Sequence, residues 1–224
     1  IETLRLPNPL PATPPDFRVL KKISGSNYPQ PQNSRYAVES EPGIHAIVYR
    51  LGTESLPAPP PRGIPRATLY VAHISSDYEL AIEPLVRDLI AEDPDAVFYA
   101  CDVRGIGESR PDVARANSFL EPYGGDYMHA VHAIMLDEPY VGRKTLDVLR
   151  VLDFLEDHGH ESIHLAGRGW GALPATFAAL LHESVTHITL KAAPESYAAI
   201  AESESYDWPL STLLPGALEK FDLT

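Results

Sequence analysis

Residues 167–171, Gly-Arg-Gly-Trp-Gly, have the spacing of a turn that presents a nucleophilic side chain. In such turns an apolar strand runs into glycine, any residue, X, any residue, glycine, and a helix follows, with serine at position X. Here position X is Gly169, which has no side chain, although an apolar stretch precedes it and an alanine- and leucine-rich stretch follows it. Three alternatives follow: a catalytic turn without its nucleophile, a nucleotide-binding turn, or a structural glycine turn.

The same residues partly match a dinucleotide-binding fingerprint. Gly167, Gly169 and Ala172 fit glycine, any, glycine, any, any, alanine between a strand and a helix, and Arg168 with the helix N-terminus could attract phosphate. However, the turn comes late in the strand pattern, and the next apolar strand ends at Lys191 without an acidic residue for a ribose. We therefore favour a structural turn, because glycine relieves the strain of such a turn, and we predict no cofactor.

Two serines follow an earlier predicted strand. Ser75 or Ser76 could supply a replacement nucleophile, because ligand sites in open α/β sheets lie beyond the carboxyl ends of the strands. The alternative, which we favour, is that Ser76 or Asp77 caps a helix starting near Tyr78.

Histidine pairs occur at two places. His129 and His132 lie three residues apart on a predicted helix with Asp126 one turn earlier, a spacing that could offer one face to a metal ion. No third ligand recurs at a fixed spacing and the residues between them are apolar, so we predict no metal site. His158 and His160 flank a glycine turn and are expected to be solvated residues at a helix end.

Two further groups have less specific patterns. Asp102 and Arg104 follow a strand and are expected to hydrogen-bond loops or to pair with each other, with a catalytic role as the alternative. Tyr123, Gly124 and Tyr127 lie on a segment expected to cross the top of the sheet, where they could line a sugar-binding cleft or simply pack together.

Composition excludes several classes of partner. The formal net charge of −13 argues against nucleic acid, whose phosphates require clustered Lys and Arg. No run of about 18 apolar residues exists, so the sequence predicts no membrane span. The single cysteine, Cys101, excludes an internal disulfide, and its apolar surroundings indicate a buried small residue. The N-terminus has no signal-peptide pattern, which leaves the compartment open.

Proline density divides the chain into two parts. Many of the 22 prolines lie near the front, in stretches such as Leu-Pro-Asn-Pro-Leu-Pro, which cannot be helical. We expect residues 1–35 to form a proline-rich extended arm and residues 36–224 to form the compact domain. Residues 43–52 alternate as a strand does.

Strand and helix patterns alternate from residue 66 onward. Short apolar runs near residues 67–74, 96–103, 162–167 and 185–193 are separated by stretches with helical spacing, including 77–94, 142–159 and 172–183. Nearly continuous apolar strands that alternate with helices are typical of a parallel sheet covered on both faces. The predicted fold class is therefore α/β, with a mostly parallel sheet and helices on both faces.

A family resemblance rests on two of these strand ends. The segment Cys-Asp-Val-Arg-Gly-Ile-Gly-Glu-Ser, residues 101–109, resembles the segment after the fourth strand of α/β-hydrolases, and residues 167–171 occupy the place of their nucleophile elbow. The order of segments over roughly residues 36–200 is similar to that of the acetylxylan-esterase-like branch of this superfamily. The resemblance implies an α/β-hydrolase fold that is shortened after its sixth strand, and it favours a secreted or periplasmic location.

The resemblance also implies where catalytic groups belong. It places the oxyanion hole at the amides of Ile74 or Ser75 and of Trp170, and the nucleophile at residue 169, which is glycine. In this superfamily the triad acid and histidine follow the elbow in chain order. His182 and His187 come too early for that place, and residues 188–224 contain no histidine. A conventional triad is thus expected to be absent.

Three functions remain open at this stage. The first is a non-catalytic hydrolase-like domain that accompanies an esterase as another domain or subunit, with carbohydrate as a possible ligand. The second is an active ester hydrolase whose nucleophile is non-standard, such as Ser75 or Ser76. The third is a nucleotide-binding domain.

Overall fold

The computed structural model describes residues 1–20, 27–52, 58–111, 126–204 and 208–223. Among the helices in these ranges, none combines the length and the apolar character needed to cross a bilayer.

Seven strands form one twisted sheet. They are β1 (Phe17–Leu20), β2 (Gln32–Glu41), β3 (Ile44–Leu51), β4 (Arg66–Val71), β5 (Val97–Asp102), β6 (Ser162–Arg168) and β7 (Val185–Lys191). Their spatial order is β1-β2-β3-β5-β4-β6-β7. The first three strands and β5 pair antiparallel, while β5, β4, β6 and β7 pair parallel, as the continuous apolar runs predicted.

Six α-helices accompany the sheet in the described ranges. They are α1 (Ser76–Ile82), α2 (Pro84–Glu92), α3 (Tyr127–Met135), α4 (Tyr140–Asp157), α5 (Ala172–Ala179) and α6 (Tyr197–Glu202). The chain moves from β4 to β5 in one direction along the sheet, and from β5 to β6 to β7 in the other. Because parallel crossovers are right-handed, α1 and α2 cover one face and α4 and α5 cover the other. The predicted fold class is confirmed.

The predicted helix over residues 77–94 is in fact two helices. Pro84 begins α2 and cannot donate a hydrogen bond to the preceding turn, so the helix breaks there. The carboxylate of Glu83 caps the new helix by accepting the Leu85 N–H at 3.1 Å.

The N-terminal segment packs onto the domain. Leu4 and Leu6 are buried in the core, and the guanidinium of Arg150 on α4 donates to the carbonyls of Pro11 and Thr13. Strand β1 adds to the edge of the sheet through β2. The division of the chain between residues 35 and 36 stays a prediction.

Candidate functional site

The turn after β6 has a conformation that favours glycine. Residues Gly169–Gly171 form a single 3₁₀ turn between β6 and α5, and Gly169 has φ +50°, in the left-handed region. Gly169 is buried and directly follows the carboxyl end of β6, which pairs with β4. The left-handed backbone at this position accounts for glycine at residue 169.

The other two glycines of the turn allow close packing of α5 on the sheet. A Cβ atom on Gly171 would lie 2.5 Å from the carbonyl oxygens of Val71 and Ala72, and one on Gly167 would lie 2.8 Å from Cβ of Ala175. Both contacts are shorter than van der Waals distance. Helix–strand packing thus accounts for these glycines without a ligand.

The space beside Gly169 is filled by His73, the second residue after β4. A Cβ atom on Gly169 would lie 2.5 Å from Nδ1 of His73. The Trp170 N–H donates to that same Nδ1 at 3.1 Å, and the two rings meet edge to face with centroids 4.8 Å apart. Since Nδ1 accepts a hydrogen bond, the proton of the neutral imidazole is on Nε2. Burial lowers the pKa of His73, which favours this neutral form.

Glu79 occupies the other half of the predicted oxyanion hole. Its carboxylate accepts the N–H groups of Ile74 at 2.7 Å, Ser75 at 3.3 Å and His73 at 3.1 Å, together with the hydroxyl of Tyr70 at 2.5 Å. Glu79 is 2% exposed, so these donors satisfy a carboxylate that has little access to water.

All three predicted oxyanion-hole amides thus donate to side chains of the chain itself. Those of Ile74 and Ser75 face Glu79, and that of Trp170 faces His73. An oxyanion hole works only when its donors point at the site where the substrate oxygen becomes charged. In this structure the donors point instead at the carboxylate of Glu79 and the imidazole of His73.

Acidic side chains neutralise the cations near the turn. Nε of Arg168 lies 2.9 Å from Glu83, and Nζ of Lys191 lies 2.5 Å from the same carboxylate. Burial alone would raise the pKa of Glu83, but the hydrogen bond from Lys191 and the other donors hold it below its usual value. Arg168 also lies 3.7 Å from Glu79. The cation proposed to attract phosphate is already paired, which disfavours the nucleotide alternative.

Neither candidate replacement serine is paired with a histidine in the described part of the chain. Ser75 is the N-cap of α1 and its Oγ accepts the Tyr78 N–H, so the predicted cap at Ser76 or Asp77 is wrong by one or two residues. Ser76 is fully buried within the first turn. Within the described ranges, no imidazole hydrogen-bonds either hydroxyl, and a serine without a base stays a weak nucleophile.

Asp102 and Arg104 hold loops and do not pair with each other. Asp102 accepts the N–H groups of Ser76 at 2.6 Å and Glu108 at 2.9 Å, and burial raises its pKa to about 6. Arg104 instead donates from Nε and Nη2 to the buried carboxylate of Asp147, at 2.9 and 2.6 Å. The loop after β5 is thereby fixed to α1 on one side and to α4 on the other.

The predicted histidine groups have different environments. Asp126 is buried and its Oδ2 accepts a hydrogen bond from Nζ of Lys144 at 2.6 Å, while the ring of His129 stacks on that of Tyr140. Tyr127 begins α3, whereas Tyr123 and Gly124 lie outside the described residues.

His158 and His160, expected to be solvated, are 5% and 0% exposed. The expectation is wrong because both rings are packed inside the domain, and that of His158 lies against the rings of Phe17 and Phe154. Tyr99 Oη contacts Nε2 of His160 at 2.9 Å, and the carbonyl of Ile64 contacts its Nδ1 at 2.7 Å.

Replacing Glu79 by glutamine tests how strongly its carboxylate stabilises the loop after β4, residues 73–75. The amide has one acceptor oxygen and places an NH₂ group where the second oxygen was, so at least one buried N–H loses its partner. We expect a loss of about 1–3 kcal/mol in the free energy of unfolding, measured by urea denaturation. The exposed Glu92 on α2 supplies the control Glu92→Gln, and equal effects of both substitutions would refute the role of Glu79.

Comparisons with known proteins support the fold. No family model matches the sequence, and no curated protein matches it significantly. In a search of solved structures, a Bacteroides fragilis protein assigned as an acetyl xylan esterase superposes with a TM-score of 0.62 at 13% sequence identity. The match covers 96% of this chain but 58% of that chain, so this chain spans less than two thirds of its length.

Other hydrolases superpose less well. Acetyl xylan esterase 1 from Thermoanaerobacterium matches with a TM-score of 0.47 and 16% identity, over 79% of this chain and 52% of that one. A serine hydrolase without a lid from Xanthomonas campestris matches with a TM-score of 0.41 and 14% identity, over 89% and 70%.

Proposed function

We propose that this chain is a non-catalytic domain, which accompanies an active carbohydrate esterase as another domain or subunit. Its α/β-hydrolase fold agrees with the prediction from residues 101–109 and 167–171. The observation that carries the proposal is the closed oxyanion hole, in which Glu79 and His73 accept the amides that would otherwise bind a substrate oxygen.

Two further observations support the loss of catalysis. Residue 169 has no side chain, and the histidines after it are engaged or misplaced. His182 lies 3.2 Å from Asp153 after α5, and His187 is exposed on β7 beside His164. Loss of nucleophile or base alone costs several orders of magnitude in rate. A role beside an esterase, with carbohydrate as a ligand, rests on the shared fold and not on these contacts.

A serine-reactive probe tests the proposal directly. Incubation with a fluorophosphonate should leave the protein unlabelled, as judged by intact mass, and p-nitrophenyl acetate should be hydrolysed no faster than in the presence of heat-denatured protein. A serine esterase treated in parallel is the positive control. Stoichiometric labelling at Ser75 or Ser76, lost in the corresponding alanine variant, would instead support the active-hydrolase alternative.

A further inference from the structure

An open groove lies on the antiparallel edge of the sheet, away from the turn at Gly169. It has a volume of about 680 Å³, within the range of about 300–1,000 Å³ typical of small-molecule sites. Its floor is formed by one face of β1, β2 and β3, on which Arg18, Ala37 and Ile47 are cross-strand neighbours. The opposite face of these strands packs on α4 through Phe17 and Tyr36, which contact Phe154.

The wall of the groove is hydrogen-bonded to the sheet. It is formed by the 3₁₀ turn Gly107–Ser109 and the residues that follow it. Ser109 Oγ donates to the carbonyl of Asp102 at 2.7 Å and accepts the Ile47 N–H at 3.1 Å, so the turn is tied to both β5 and β3. Hydrogen bonds of Ser109 thus join the wall of the groove to its floor.

Cationic side chains line this groove although the whole chain carries a formal net charge of −13. Arg18 and Arg110 are exposed in it, and no described carboxylate lies within ion-pair distance of either. His45 and His129 are half-buried on its lining and add imidazole nitrogens, and Tyr140 adds a hydroxyl.

The other charges on the lining are already balanced. The carboxylate of Glu108 lies 2.5 and 2.6 Å from Nη1 of Arg35. Arg104 is held by Asp147 and lies 2.6 Å from Glu41. Among the described residues, the guanidinium groups of this lining that have no ion-pair partner are those of Arg18 and Arg110, and both face the same groove.

We infer that this groove binds a small ligand bearing anionic oxygens, a carboxylate or a phosphate, through Arg18 and Arg110. The planar guanidinium group matches the geometry of both anions and forms charge-assisted hydrogen bonds with them. Imidazole and hydroxyl groups around the cations suit the neutral oxygens of such a ligand. The inference is independent of whether the closed site at Gly169 is catalytic.

Titration with three probes tests this inference. Glucuronate and inorganic phosphate supply the two anions, and glucose supplies a neutral ring of the same size as glucuronate. Calorimetry or NMR at low salt should show saturable binding of at least one anion, with a Kd below about 10 mM, and none of glucose. The anion that binds more tightly distinguishes a carboxylate from a phosphate site.

Matched arginine variants locate the binding. Arg18→Gln and Arg110→Gln should each weaken anion binding about tenfold, because each removes a charge-assisted contact. The control Arg87→Gln removes an exposed arginine on α2, whose Nη2 donates to the Ala81 carbonyl, and it should leave binding unchanged. Absence of saturable anion binding, equal binding of glucose, or equal effects of all three variants would overturn the inference.

Discussion

Replacing Gly169 by serine is expected to destabilise the protein by about 2–5 kcal/mol and to create no esterase. The new Cβ would lie 2.5 Å from Nδ1 of His73, and the backbone at φ +50° disfavours any side chain. Urea denaturation gives the change in free energy of unfolding, and p-nitrophenyl acetate turnover gives the activity. In this arrangement the Trp170 N–H would still donate to His73, and the Ile74 and Ser75 N–H groups would still donate to Glu79, so none of the three amides would be free to bind a substrate oxygen.

A double-mutant cycle separates the two causes of this loss of stability, the clash with His73 and the left-handed backbone at residue 169. Gly169→Ala adds the Cβ without a hydroxyl and should cost about as much as serine. In the double variant Gly169→Ser with His73→Ala the steric clash is gone, so we expect a favourable coupling free energy of about 1–3 kcal/mol relative to the two single variants. Additive effects would show that His73 does not occupy the space beside residue 169.

Replacing Lys144 by methionine is expected to cost about 3–5 kcal/mol of stability. Nζ of Lys144 lies 2.6 Å from Oδ2 of Asp126, and the two side chains are 1% and 2% exposed. Burial lowers the pKa of Lys144 although the Asp126 carboxylate opposes the shift. Oδ1 of Asp126 has no other hydrogen-bond partner among the described residues, so methionine would leave a buried carboxylate without compensation.

Two controls accompany this prediction. The double variant Lys144→Met with Asp126→Leu removes both charges and should be more stable than Lys144→Met alone, because no unpaired charge remains. Asp137→Asn breaks the exposed ion pair between Asp137 and Arg5, in which the Arg5 side chain is 45% and the Asp137 side chain 76% exposed. It should lower the free energy of unfolding by no more than about 1 kcal/mol. Equal losses for the buried and exposed pairs would contradict the account.

The parallel half of the fold could be predicted from the sequence because its strands are buried on both faces. Continuous apolar runs identify β4, β5 and β6, and glycine and proline mark where elements end. The short strand β1 was not predicted, since four residues such as Phe17–Leu20 do not establish a period. The break between α1 and α2 could have been predicted, because Pro84 lies inside the helical pattern.

The hydrogen bonds that engage the three amides with His73 and Glu79 could not be predicted in the same way. The sequence locates Gly169, Trp170 and the loop after β4, but nothing in residue spacing indicates that His73 and Glu79 accept their amides. These contacts join β4, α1 and the turn after β6, which approach one another only in the folded chain. The sequence offered only a weak signal for these contacts. It has an ionisable residue, His73, two positions after a strand, and another, Glu79, within the first turn of the next helix.

The protonation state of His73 tests the closed site most directly. Long-range ¹H–¹⁵N NMR of the imidazole, assigned with His73→Gln, reports which nitrogen carries the proton. Because burial lowers the pKa of His73, the unfolded chain takes up a proton first as the pH falls below about 6.5, so this group destabilises the folded state increasingly in that direction. At neutral pH we predict a neutral ring with the proton on Nε2 and with Nδ1 accepting the Trp170 N–H. A proton on Nδ1, or an imidazolium at neutral pH, would contradict the account, because the Trp170 amide would then be free to bind a substrate oxygen.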